Sequence, residues 1–220
     1  MTVMITSLDV FRHRLDSGEA IPFQGMTLRG LDLSGIDLAG RVLADCRIER
    51  CVLAAAQLRG VHLQRSVLHE VDLRGACLRG AGFDRALLSA CDLSEADLRE
   101  AALTDVRAQG LLLRGADLRD ANAGEASLAE STLDGIMADG GRFVGTWFTH
   151  CSLRGASFRD ATLLKACFRD VELSVSQLCA ADQRRASFER ADLRDVDFRG
   201  CRTEGLRLRE VQLFGAPPAQ

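Results

Sequence analysis

"GADLRDANAGEASLAESTLDG", residues 115–135, places Leu118, Ala123, Leu128 and Leu133 at every fifth position. On an α-helix a five-residue step turns the chain by about 500°, a net rotation of about 140°, so these side chains would scatter round the cylinder. In a flat strand an odd step sends successive members to opposite faces. Neither regular element buries all four together. They face one common axis only if the chain turns a corner once every five residues, always in the same sense.

The same period runs through nearly the whole chain. Steps of five from Phe23 to Leu213 mark 39 central positions without a slip of register; 25 are Leu, 8 are Phe and one is Ile48. The exceptions are Ala108, Ala123, Ala138, Gln183 and Thr203. A second inward column lies two residues earlier and holds compact side chains, as in Ala76, Ala81, Ala86, Cys91, Ala96 and Ala101. Sixteen of the 20 glycines fall two residues after a centre, where a corner is due and where Gly turns most cheaply. Self-similarity at a fixed short period is the mark of a solenoid.

The phrases "ADLR" (96–99, 116–119 and 191–194), "ASFR" (156–159) and "ACLR" (76–79) resemble the A(D/N)LXX signature of pentapeptide-repeat proteins. The resemblance implies an all-β fold, a right-handed quadrilateral parallel β-helix with four pentapeptides per coil, so that residues twenty apart stack. With coils ~4.8 Å apart, the repeats make nearly ten coils and a rod roughly 45 Å long. One inner face then reads Leu33, Leu53, Leu73 and onward by twenties to Leu213 without exception. Ala138 is followed on its face by Phe158, and Ala123 by Phe143, an exchange of small for large expected to leave no void. Gln183 and Thr203 stack on one face and are expected to form a hydrogen-bonded polar pair or a distorted coil.

The ends differ. Residues 8–16, "LDVFRHRLD", follow Ser7 as a candidate N-cap and stop before Gly18; Leu8, Phe11 and Leu15 share one helical stripe. This short helix is expected to cover the first coil, since an open end exposes apolar core and unpaired backbone. The expected organisation is an N-terminal cap over 1–20, the β-helix over 21–214 and a C-terminal tail over 215–220, in which no capping helix can be drawn.

Composition narrows the function classes. The net charge of −3, from 28 basic and 31 acidic residues, disfavours direct nucleic-acid binding. No stretch is long enough to span a membrane, and "MTVMITSLDV" lacks the charged start of a signal segment, so a cytoplasmic protein with no membrane association is expected. Only Lys165 among the basic residues is a lysine, which points to a GC-rich genome; a bacterial source is a separate expectation. Of the eight cysteines, Cys46, Cys51, Cys91, Cys151 and Cys201 occupy the compact inward column as small hydrophobes. Cys51, Cys91 and Cys151 share one column but are roughly 10 Å or more apart, beyond disulfide reach. No CxxC occurs, and His13, His62, His69 and His150 show no ligand spacing, so no metal and no cofactor is expected. Phosphate-loop, HExxH and GxSxG motifs are absent, and a rod filled with Leu and Phe offers no cleft; no catalytic residue is assigned.

The leading expectation is a non-catalytic scaffold or adaptor that binds a protein partner of unknown identity. The resemblance adds two alternatives: a DNA mimic that protects a type II topoisomerase (DNA gyrase or topoisomerase IV) from inhibitors, and a secretion-system adaptor or effector. Against DNA mimicry, Arg59, Arg79, Arg99, Arg119, Arg159 and Arg199 share one outer column beside Asp97, Asp117 and Asp197, so the acidic ladder is offset. Val144, Trp147, Leu164 and Cys167 should gather at one corner of the rod as a partner-binding cluster. Leu208, Val211, Leu213 and Phe214 crowd the last coil and should join two copies in a homodimer through their C-terminal ends, as the resemblance also implies.

Overall fold

A computed structural model describes residues 3–17 and 23–214. The expected boundaries at 18–22 and the 215–220 tail lie outside the described residues. The chain opens with strand β1 (Met4–Ile5) and helix α1 (Leu8–Asp16), then enters β2 (Thr27–Arg29) and returns to the same face every twenty residues, from β3 (Arg47–Glu49) to β11 (Arg207–Arg209). All eleven strands form one parallel sheet in sequence order, with Leu28 opposite Ile48 and Phe188 opposite Leu208. The other three faces are single-residue parallel bridges in the same register, for example Asp32 to Val52, Asp37 to Gln57 and Val42 to His62. The result is a four-sided parallel β-solenoid of about ten turns.

Each pentapeptide works the same way. The Leu33 N–H donates to the Val52 carbonyl at 2.7 Å, and the Val52 N–H donates to the Leu31 carbonyl at 2.8 Å, tying each coil to the next. The Ile36 N–H closes a turn on the Leu33 carbonyl at 3.1 Å, and Gly35 between them has φ of 65°. A positive φ at the third residue of such a turn is the left-handed conformation that Gly adopts without penalty. Every corner from Gly25 to Glu210 takes it, yet only 15 are glycines and 23 are other residues. The left-handed state costs an L-residue about 1–2 kcal/mol. Burying the Leu or Phe of the same pentapeptide gains about 1.5–3 kcal/mol, so burial wins even without glycine.

The core is the predicted one. Phe148, Phe168 and Phe188 stack with ring centroids 4.8 and 4.6 Å apart, and Phe143 meets Phe158 edge-on at 5.3 Å. A Cβ on Gly141 would lie 2.6 Å from the Phe143 ring, so this large ring depends on the smallest residue at the neighbouring inward position. The exchange is nonetheless incomplete. A dry void of about 40 Å³ runs beside Ala123, lined by Phe83, Leu118, Leu128 and other wholly apolar side chains. Phe143 supplies its volume one coil on from Ala123, and the space that Ala123 leaves on its own coil is only partly filled.

Polar core residues resolve individually. Ser66 Oγ donates to the Leu43 carbonyl at 2.7 Å and accepts from the Cys46 N–H at 3.1 Å, standing inside a corner turn. Gln183 and Thr203 are both buried, but Gln183 Nε2 turns to Cys201 Sγ at 3.1 Å and its Oε1 has no partner. At the first coil, Ser7 holds the N-cap position in extended backbone without a side-chain cap bond. Phe11 is fully buried and stacks on Phe23 at 4.4 Å, so α1 covers the core as expected.

Val175 is the one β-branched residue among the corners, at φ 57°, and is 56% exposed. A branched Cβ makes the left-handed state most costly, and little burial would be lost on removing it. Val175→Gly is expected to raise the melting temperature by about 2–4 °C, corresponding to roughly 1 kcal/mol. An unchanged or lower melting temperature in a calorimetric scan would contradict the assigned strain.

Candidate protein-binding surface

The flat outer faces carry side chains at the two positions flanking each buried centre. Where these are Asp and Arg, they close on each other across the strand. Asp72 to Arg74, Asp97 to Arg99, Asp182 to Arg184, Asp192 to Arg194 and Asp197 to Arg199 are bidentate pairs, with the Nη2 to Oδ2 contact between 2.6 and 2.7 Å; Asp117 to Arg119 closes at 2.5 Å. Each Asp also accepts the backbone N–H of its Arg, as at 3.0 Å in the Asp197 pair. The guanidinium bond holds the Asp97 and Asp117 carboxyls below the usual range and takes Asp197 down to about 2. Such pairs are solvent-exposed and screened, so their main effect is to neutralise the surface.

A second polar cluster escaped the sequence reading. His69 Nδ1 meets Ser89 Oγ at 2.8 Å, His69 Nε2 meets Glu70 Oε1 at 3.2 Å, and Arg50 Nε donates to Glu70 Oε2 at 2.8 Å. Stacking by twenty would have found it, since His69 and Ser89 are register partners in β4 (Val67–His69) and β5 (Leu87–Ser89). The neighbouring N–H groups of Glu70 and Ala90 are spent on the carbonyls of Ser89 and Gln109. The cluster lies on an open strand face without a pair of free N–H donors for an oxyanion.

The cysteines are all free. Burial pushes the Cys91 thiol up to about 11 and raises those of Cys46, Cys51 and Cys151. Among the described residues no group of His, Cys, Asp and Glu is placed to hold a metal ion, and no helix is long and apolar enough to cross a membrane.

The apolar corner has one prominent member. Trp147, at the start of β8 (Trp147–Thr149), is 48% exposed and pairs in register with Cys167 of β9 (Cys167–Arg169). Cys167 is only 9% exposed, and Val144 and Leu164 are half-buried, so the expected four-residue cluster is a Trp standing above three lower neighbours. The Gly145 N–H donates to the Leu164 carbonyl at 2.9 Å, tying the two levels together at the corner. Leu164 continues into a surface groove of about 500 Å³ shared with Arg184, Arg185 and Glu204. At the far end, Leu208, Val211 and Leu213 are half-buried and Phe214 is 69% exposed, with the Arg194 guanidinium 6.0 Å above its ring.

Comparison with solved structures places the fold among known ones. HetL, a pentapeptide-repeat protein involved in heterocyst differentiation regulation from the cyanobacterium Nostoc sp. strain PCC 7120, is 22% identical, with 92% of this chain and 94% of HetL covered and a TM-score of 0.53. A trypsin-treated QnrB1, a plasmid-mediated fluoroquinolone resistance protein, is 18% identical over 86% of each chain, with a TM-score of 0.42. Comparison with curated proteins finds no match. The pentapeptide repeats family model matches eight copies, over residues 46–83, 81–120, 142–174 and 176–216. Residues 121–141, between these matches, hold Ala123 and Ala138 at core positions, yet keep the register through Thr132 to Ser152 and Met137 to Ser157. With the five-residue corners, the twenty-residue stacking and these matches agreeing along most of its length, the chain belongs to the pentapeptide-repeat family.

Proposed function

We propose that the protein is a non-catalytic rod that serves as a scaffold or adaptor in the cytoplasm, binding a protein partner at the Trp147 corner. The carrying observation is Trp147 itself, a large aromatic side chain left half in solvent on a rigid strand. Its backbone is fixed on both sides by ladder bonds, so binding costs little ordering of the protein, and Trp is the residue most enriched at binding hot spots. Eight free cysteines suit a reducing compartment. Topoisomerase protection by DNA mimicry is the weaker reading, because the Asp columns that would imitate phosphates are closed by Arg on their own strands. Trp147→Ala is expected to leave the melting temperature nearly unchanged and to weaken capture of a co-purifying partner by about 30-fold, or ~2 kcal/mol. Loss of folding, or undiminished capture by the variant, would make the corner structural.

The rod is further proposed to form a homodimer through its C-terminal ends. Leu208, Val211 and Leu213 remain half-buried there and Phe214 stands in solvent, whereas equivalent centres in the middle of the rod are fully covered. A second copy supplies a matching apolar face by symmetry. Sedimentation velocity should give a dimer for the wild type and a monomer for Phe214→Asp; a wild-type monomer at every concentration, or a dimer that tolerates the substitution, contradicts this.

A further inference from the structure

We infer that the occupant of the Trp147 corner is an acidic protein segment with apolar side chains between its carboxylates. This rests on the proposed partner-binding role of that corner and concerns the chemistry of what binds. Lys165 and Arg185 stack on one corner column, twenty residues apart, directly beside Leu164 and its groove. Neither forms an ion pair among the described residues, and neither does Arg142 on the adjoining face. Their situation contrasts with Arg99, Arg119, Arg194 and Arg199, each closed on an Asp two residues earlier.

Two of the carboxylates on these faces are already paired. Asp182 is held by Arg184 at 2.7 Å, and Glu189 is shared by Arg169 at 3.2 Å and by Arg190 at 2.6 Å. Glu125, which leans over Gly145, and Glu204, which lines the groove beside Arg184 and Arg185, form no ion pair among the described residues and set a partial counter-charge at this corner. On a chain of net charge −3, the corner therefore carries a local surplus of positive charge, with Arg142, Lys165, Arg184, Arg185 and Arg202 against Glu125, Asp182 and Glu204, beside exposed apolar surface. An acidic segment gains on both counts: its apolar side chains meet Trp147 and Leu164, and its carboxylates meet Lys165 and Arg185 across the same edge. Such rim charges act mainly on association rate and salt dependence. An anionic membrane fits less well, because Val144, Leu164 and Cys167 lie too low to enter a lipid boundary.

Trp147 is the only tryptophan and the chain has no tyrosine, so intrinsic emission reports this corner directly. The probe is a synthetic peptide alternating acidic and apolar residues; controls replace the acids with serine or with lysine, and a further arm uses phosphatidylserine vesicles. The acidic peptide is expected to give a saturable blue shift, about tenfold weaker at high salt than at low salt. The double variant Lys165→Glu, Arg185→Glu is expected to melt as the wild type does and to bind about tenfold more weakly. Equal shifts with the serine or lysine peptide, or undiminished binding by the double variant, overturn the acidic class while leaving the corner a binding site. A shift with vesicles alone overturns it in favour of a lipid surface. Silence from every probe also overturns it, while Trp147-dependent partner capture separately decides whether the corner binds at all.

Discussion

A left-handed residue at every fifth position governs everything else in this protein. It turns the chain through a corner, sends the next central side chain inward and brings residue i beneath residue i + 20. The conformation is unfavourable for the non-glycine residues that hold most corners. What maintains it is the regularity of its consequences: nearly every corner goes with an inward Leu or Phe and with backbone bonds to neighbouring coils. Each corner is held by neighbours that repeat its geometry, as expected where stability is a sum over adjoining repeats.

The period of five was legible because it excludes both helix and strand, and the stacking by twenty because the family resemblance supplied the number of faces. From these the inner ladders and the corner position of Trp147 could be written down, while the covering helix was legible separately from the Leu8, Phe11 and Leu15 stripe after Ser7. Three features were hidden for physical reasons. The glycines marked corners, but Asp, Glu, Arg, Ala and even Val175 adopt the same φ, which propensity alone would not assign. The void at Ala123 depends on ring orientations, and a list of side-chain volumes does not contain these. Cys167 occupies an outward position yet is covered, because exposure on a sheet depends on what the register neighbour does with its bulk.

The candidate site shows the same division. Its column positions followed from arithmetic, whereas its electrostatic character followed from which charges pair. Asp and Arg flanking a centre neutralise each other on the same strand, turning what reads in sequence as two charged ladders into a nearly neutral face. Lys165 and Arg185 sit instead on a corner, where no residue of the same pentapeptide faces them in this way. The pairing of His69 with Ser89 likewise becomes visible only once residues twenty apart are read as neighbours.

The central claim is that each pentapeptide is one interchangeable side of the rod. Deletion tests it most directly, with folding followed by circular dichroism and thermal melting. Removing Ala76, Cys77, Leu78, Arg79 and Gly80 should rotate the later coils by one face and preserve a cooperative melt, since the inward columns still meet inward columns. Removing only Ala76 to Arg79 should destroy it, because every later Leu and Phe would lose its place at the centre of a side. Equal tolerance of both deletions, or unfolding by the five-residue one alone, would contradict this account.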